Sequence, residues 1–154
     1  MSRYEARIAE LGLELPEVAK PVAAYVPAVR SGSYVYTSGQ LPFVKGDLLA
    51  TGKVGAEVSP EEAAELAGVC ALNAIAALKS QIGDLDKLVR IVKVVGFVAS
   101  AEDFYGQPSV INGASNLLGE IFGEAGVHAR SAVGVAVLPM NAPVEVELVA
   151  EVLA

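Results

Sequence analysis

Two runs of alternating β-branched residues near the C-terminus constrain the fold of this chain most strongly. Residues 131–138 and 144–152 have the period-2 alternation of β-strands. The five residues between them, 139–143, begin and end with proline, which is excluded from the middle of a sheet. Consecutive strands joined by a short turn usually pair with each other. The sequence therefore predicts a β-hairpin in this region.

The hairpin hypothesis also predicts a register and two unlike faces. If the bulky face of one strand continues the bulky face of the other, Val137 lies opposite Val144, and Glu145 lies opposite Ala136. Helices would then cover the valines, and the face with small residues, Arg130 and glutamates would be left for another sheet. Arg130 and Glu145 would share this second face about six residues apart, roughly 20 Å at the usual strand rise. A single chain could not bring them together.

The rest of the chain predicts further strands and three helices. Strand-like runs lie at 23–30, 34–38 and 88–99. Helical spacing of apolar residues occurs at 2–13, 59–82 and 108–122. The second helix has a clear start, because Ser59, Pro60 and Glu62 combine a capping box with proline in the first turn. This order predicts an α+β fold with the two longer helices on one face of a mostly antiparallel sheet.

Composition limits the domain organisation and the class of partner. With 154 residues, 53 % of them hydrophobic, the chain is expected to form one domain over 1–154, with 1–21 as a helical N-terminal extension. A net charge of −7 disfavours nucleic-acid binding, which relies on clustered Lys and Arg. Asn73 and Lys79 interrupt the most apolar helix, so no membrane span is expected. The charged N-terminus is unlike a signal peptide, and we expect a cytoplasmic protein.

The single cysteine and the single histidine indicate no metal centre. Cys70 lies between Val69 and Ala71 in an apolar helix, which favours an inert core position over a reactive thiol. His128 could act as a general base, but a lone loop histidine more often faces solvent or binds a backbone carbonyl. Arg130 precedes small residues on its strand face, so only a ligand or another subunit would cover its guanidinium.

Several short motifs together resemble the RidA/YjgF family, the reactive intermediate deaminases that are also called endoribonuclease L-PSP. The motifs are YVYTSGQLP at 34–42, VIN at 110–112, ARS at 129–131, LP at 138–139 and VEVE at 144–147. The resemblance covers about residue 22 to the C-terminus and implies a chorismate-mutase-like fold. The chain departs from the family pattern at His128, where proline is usual, and at Ala132, where many members have cysteine. The stretch between Phe104 and Asn112 is also longer.

The resemblance also implies an assembly and the roles of particular residues. Family members form homotrimers with clefts between subunits. Arg130 would bind the substrate carboxylate, and Glu145 would position water or transfer protons. The implied pocket residues are Tyr25, Ser38, Gly39 and Asn112.

The resulting functional hypothesis is a deaminase that hydrolyses reactive enamine or imine intermediates of amino-acid metabolism to 2-keto acids and ammonia. It would act on a small carboxylate substrate without a cofactor. Two alternatives remain: a trimeric protein that binds small keto acids without turnover, and an endoribonuclease, which the acidic charge disfavours.

Overall fold

The structure, a computed structural model, describes residues 2–18 and 24–154. The helices of this part are α1 (Arg3–Glu10), α2 (Pro60–Ile82) and α3 (Gln107–Phe122). The strands are β1 (Ala28–Ser31), β2 (Tyr34–Thr37), β3 (Phe43–Val44), β4 (Asp47–Leu48), β5 (Leu88–Ala99), β6 (Ala129–Val135) and β7 (Val144–Val152). The strand predicted at 23–30 begins too early: β1 starts only at Ala28, and the described residues 24–27 form no strand. Residue 23 and the end of the predicted extension at residue 21 lie within 19–23, outside the described residues.

Five of these strands form one sheet, in the order β1-β2-β7-β5-β6. All neighbours are antiparallel except β5 and β6, which run parallel with Val94 aligned to Arg130. α2 packs against β1, β2 and β7, and α3 packs against β5 and β6. The predicted α+β class, with a mostly antiparallel sheet and helices, is confirmed.

The predicted hairpin between the two C-terminal strands is wrong. β5 lies between β6 and β7, so Glu145 is aligned with Phe97 and Val144 with Val98, and neither is aligned with a residue of β6. A parallel pair needs a long crossover, and α3 provides it between β5 and β6. The chain from 136 to 143 then passes the end of β5, with the Ala99 amide donating to the Pro143 carbonyl at 2.9 Å. Local alternation predicts strands well but does not determine which strands pair.

The predicted faces of β6 are also reversed. Arg130 and Gly134 point toward α3, whereas Val133 is 44 % exposed on the side of the sheet opposite α3. A Cβ added to Gly134 would lie 2.7 Å from the Nε2 of Gln107, and one added to Gly96 would lie 2.5 Å from Ile111. Small residues are required here because α3 lies directly on the sheet. On β7 the prediction is correct, since Val144, Val146 and Leu148 are buried under α2.

A single buried cluster joins the helices to the sheet. It includes Cys70 of α2, which is fully buried, so its predicted core position is confirmed. By length and composition alone α2 is apolar enough to cross a membrane, despite Asn73 and Lys79, but 61 % of its most apolar window is buried in the fold. α1 joins the same cluster, because Tyr4 packs edge to face against Phe122 with ring centroids 4.8 Å apart.

The sheet face opposite the helices carries large exposed side chains. In the part of the chain that the structure describes, no helix packs on this face, which we call the open face. Its exposed members include Val29, Tyr34, Tyr36 and Val133. The same face also carries Glu145 and Glu147 of β7, aligned with Phe97 and Val95. Exposed apolar side chains beside charged ones are typical of an interaction surface.

Candidate functional site

Arg130 is held by three acceptors at the edge of the sheet. Its Nη1 donates to Asn112 Oδ1 at 2.8 Å and to Ser115 Oγ at 3.2 Å, and its Nη2 donates to the Pro108 carbonyl at 3.2 Å. Pro108, Asn112 and Ser115 are spaced four and three residues apart, so they form one stripe of α3. The guanidinium is only partly buried. It is therefore fixed in direction and still accessible to a ligand.

His128 precedes β6 and lies beside the same cluster. Its Nδ1 is 2.6 Å from the Gly126 carbonyl oxygen, and its Nε2 is 2.9 Å from Ser115 Oγ. The carbonyl contact is one of the two ordinary environments that the sequence indicated for this histidine. The contact with Ser115 connects it to Arg130 through one hydroxyl.

Glu145 lies on the other side of the sheet, next to Gly39. A Cβ added to Gly39 would fall 2.7 Å from both Cδ and Oε2 of Glu145, so only glycine leaves room for the carboxylate in this position. Removal of the carboxyl from water raises its pKa above the ordinary value of 4.5, and the charge of nearby Glu147 raises it further. A carboxyl with a raised pKa gains and loses its proton at a pH closer to neutrality than a solvated carboxyl does.

Ser38, another predicted pocket residue, connects the segment of Gly39 to residues 26 and 27. The Ser38 hydroxyl donates to the Val26 carbonyl at 2.6 Å, and the Ser38 amide donates to the Pro27 carbonyl at 2.8 Å. These bonds attach the segment that carries Tyr25 to the segment that carries Gly39. Tyr25 itself is 52 % exposed. Of the predicted pocket residues, Gly39 therefore lies against Glu145 with Ser38 next to it in the chain, whereas Asn112 lies with Arg130.

Within one chain the two predicted catalytic residues do not meet. Arg130 is aligned with Val94 and Glu145 with Phe97, three residues further along β5. Because side chains alternate along a strand, an odd separation places them on opposite faces of the sheet. They are offset by roughly 10 Å along the strands and roughly 10 Å across them. The sequence was right that one chain cannot join them, but it wrongly placed them on the same face.

Two parts of the site were not predicted from sequence. Ser115 contacts both Arg130 and His128, and the Pro108 carbonyl receives a guanidinium N–H. The helical spacing from Asn112 to Ser115 was visible in the sequence, but only the parallel placement of β6 beside β5 brings this stripe to Arg130. Among the described residues, no group of three His, Cys, Asp or Glu side chains is arranged to bind a metal ion.

The fold and site together define a class of protein: an α+β domain with a five-stranded sheet, two long helices on one face and an arginine site at the sheet edge. A family described as "YjgF/chorismate_mutase-like, putative endoribonuclease" matches residues 5–152. The chain belongs to this family, and the RidA/YjgF resemblance is thereby confirmed.

Individual relatives show how widely this fold is shared. The crystal structure of protein Atu1372 from Agrobacterium tumefaciens is 47% identical, with a TM-score of 0.91 over 97% of this chain and 92% of that one. Protein TCP17 of Trypanosoma cruzi is 43% identical over 97% of this chain and 94% of its own length. A protein of Dermatophagoides farinae named 2-iminobutanoate/2-iminopropanoate deaminase is 32% identical over 88% of this chain and 91% of its own length.

Proposed function

We propose that this protein hydrolyses imines of small 2-amino acids, and the enamines in equilibrium with them, to 2-keto acids and ammonia. The observation that carries the proposal is the Arg130 cluster. Three acceptors fix the guanidinium, and the Nε–H and one Nη2–H are not used by any described residue. Two N–H groups on one planar cation match the two oxygens of a carboxylate. The name of the relative from D. farinae supports the same substrate class.

The chemistry needs a fixed carboxylate and a group that transfers protons. Arg130 would hold the carboxylate of the substrate beside its C=N bond and offset its charge. Water would add to the imine carbon, giving a carbon that bears both OH and NH₂. A proton would then move from oxygen to nitrogen, the C–N bond would break, and ammonia and the keto acid would leave. Glu145, with its raised pKa, is suited to accept and return this proton.

A complete site would require a second copy of the chain, and we propose the homotrimer that the family resemblance implies. Arg130 and Glu145 lie on opposite faces of the sheet, so Glu145 of one copy would have to approach Arg130 of another. Among the described strands, β6 is an edge strand with β5 as its only neighbour, which leaves its outer edge available. The exposed apolar side chains of the open face supply a surface for assembly.

The deciding experiment measures imine loss directly. An amino-acid oxidase generates 2-iminopropanoate from alanine, and semicarbazide competes with the protein for the imine. If the protein is a deaminase, semicarbazone formation falls in proportion to protein concentration and ammonia release accelerates. An unchanged initial rate of semicarbazone formation together with measurable pyruvate binding would instead indicate a keto-acid-binding protein. Incubation with single-stranded RNA tests the endoribonuclease alternative, for which we expect no cleavage because the net charge is −7.

A further inference from the structure

A continuous chain of hydrogen bonds leads from a backbone carbonyl through His128 and Ser115 to Arg130. The Gly126 carbonyl oxygen is 2.6 Å from Nδ1 of His128. Nε2 of the same ring is 2.9 Å from Ser115 Oγ, which in turn is 3.2 Å from Nη1 of Arg130. His128 is the single histidine of the sequence.

The direction of each bond follows from donor and acceptor chemistry. A carbonyl oxygen only accepts, so Nδ1 of His128 carries a proton. In the neutral imidazole Nε2 is then an acceptor, and the Ser115 hydroxyl donates to it. The lone pairs of Ser115 Oγ are thereby turned toward Arg130, whose guanidinium only donates. With a neutral ring, every contact in this series has one donor and one acceptor, and reversing any one of them would leave two acceptors or two donors facing each other.

The consequence for Arg130 concerns its remaining N–H groups. Of its five, two on Nη1 are taken by Asn112 and Ser115, and one on Nη2 is taken by Pro108. If the Ser115 hydroxyl turned its own hydrogen toward Arg130, Nη1 would lose an acceptor. The plane of the guanidinium would then no longer be fixed by the contact with Ser115. The direction of the Nε–H and the remaining Nη2–H would then be less well defined.

We propose that His128 is a positioning residue: through the Ser115 hydroxyl it orients Arg130 so that the free N–H pair faces the carboxylate of the ligand. This inference deepens the proposed function and rests on it for the role of Arg130. His128 does not touch the reacting atoms. It acts in the Nδ1–H form, with Ser115 as the second positioning residue.

The first test is spectroscopic and needs no turnover. Since the chain has one histidine, a protein labelled with ¹⁵N-histidine gives one pair of imidazole nitrogen signals, and their couplings to the ring protons identify the tautomer. We expect a protonated Nδ1 and an unprotonated Nε2 near neutral pH. Observation of the Nε2–H tautomer would overturn the proposal, because Ser115 could not then donate to the ring.

The second test separates positioning from a structural role. His128→Leu removes both contacts, whereas His128→Gln can place a side-chain carbonyl near the Ser115 hydroxyl. We expect His128→Leu to weaken pyruvate binding, measured by calorimetry, and to raise KM by roughly 5- to 30-fold with little change in kcat. His128→Gln should recover part of this loss. A fall in kcat at constant KM, or equal losses in the two variants, would contradict a positioning role.

A double-mutant cycle tests whether the effect passes through Ser115. In a Ser115→Ala background, His128→Leu should weaken pyruvate binding no further, since the connecting hydroxyl is gone. Ser80→Ala is the matched control, because Ser80 of α2 donates only to the Ala77 carbonyl of its own helix, at 2.6 Å, and should leave affinity unchanged. Fully additive losses in the cycle would overturn the proposal.

These outcomes also distinguish the inference from the proposed function. If the tautomer and the pyruvate affinities follow the expectation but no imine is hydrolysed, the positioning role stands and the deaminase proposal fails. If imines are hydrolysed but the ring is in the Nε2–H form, the deaminase proposal stands and the positioning role fails.

Discussion

Arg130 and Glu145 lie on opposite faces of one sheet, aligned with residues of β5 that are three positions apart. Each has its own surroundings: the guanidinium binds one stripe of α3, and the carboxylate lies against Gly39. A chemistry that needs both groups on one small substrate requires two chains.

Replacement of Arg130 should impair function without unfolding the protein. Loss of a charge-assisted bidentate contact in Arg130→Ala is expected to lower kcat/KM roughly 30- to 1000-fold, or about 2–4 kcal/mol. Arg130→Lys should recover only part of the lost kcat/KM, because an ammonium restores the charge but not the two parallel N–H donors of a guanidinium. Arg30→Ala is the control, since Arg30 is exposed on β1 and donates to the carbonyls of Gly32 and Leu153. Steady-state kinetics that show similar losses for Arg30 and Arg130 would contradict a specific role.

Gly39→Ala should displace the Glu145 carboxylate while leaving the fold intact. The added methyl group would meet the flexible end of a side chain, and Gly39 does not have a left-handed φ, so the backbone accepts alanine. Displacement of about 1 Å is expected to lower kcat roughly 10- to 100-fold. Gly119→Ala is a control in α3, where an added Cβ meets nothing within 4 Å. If folded Gly39→Ala keeps full kcat, the position of Glu145 does not matter for turnover.

Glu145→Gln should make the protein more stable at neutral pH although it removes activity. The folded chain holds the Glu145 proton more tightly than the unfolded chain, because burial and then Glu147 raise its pKa. Ionisation therefore lowers the free energy of unfolding as pH rises from the ordinary pKa of 4.5 to the raised value, and the cost stays constant above it. Gln does not ionise, so denaturant unfolding should show a stability gain at about pH 7 that disappears near about pH 4.

Glu147→Gln gives the internal control for this effect. It removes the second cause of the raised pKa, so the stability gain from Glu145→Gln should be smaller in the Glu147→Gln background. A gain that is the same at all pH values would mean that it comes from packing or hydrogen bonding and not from ionisation.

The sequence predicted individual elements and the α+β class, but it did not predict the pairing of the last two strands. The bounds of β5 follow from its long β-branched run, those of β7 follow from its alternation, and the start of α2 follows from Ser59 and Pro60. Alternation says nothing about a third strand inserted between two others. Because β6 was paired with the wrong strand, its helix-facing and open faces were assigned in reverse. Ser115 was therefore not recognised as a partner of Arg130. The small residues of β6 were the available signal, since close helix packing needs them.

Mixing two inactive variants should restore activity if adjacent subunits share each site. In a homotrimer, a site would take Arg130 from one subunit and Glu145 from the next. Arg130→Ala chains still supply Glu145, and Glu145→Ala chains still supply Arg130. Random exchange in an equal mixture makes about a quarter of all sites intact. Imine turnover should therefore rise to about a quarter of the wild-type value, whereas no activity is expected if one chain supplies both groups.

A matched mixture checks the same point from the opposite direction. Wild-type chains are exchanged in equal amount with chains that carry both Arg130→Ala and Glu145→Ala. If adjacent subunits share a site, both must be wild type, and about a quarter of the sites are intact; if one chain supplies both groups, about half are intact. Native mass spectrometry establishes that mixed trimers have formed before turnover is measured. Turnover at about a quarter of the wild-type value in both mixtures supports the shared site. The shared site is refuted if the two single variants together show no turnover and the wild-type mixture with the double variant shows about half.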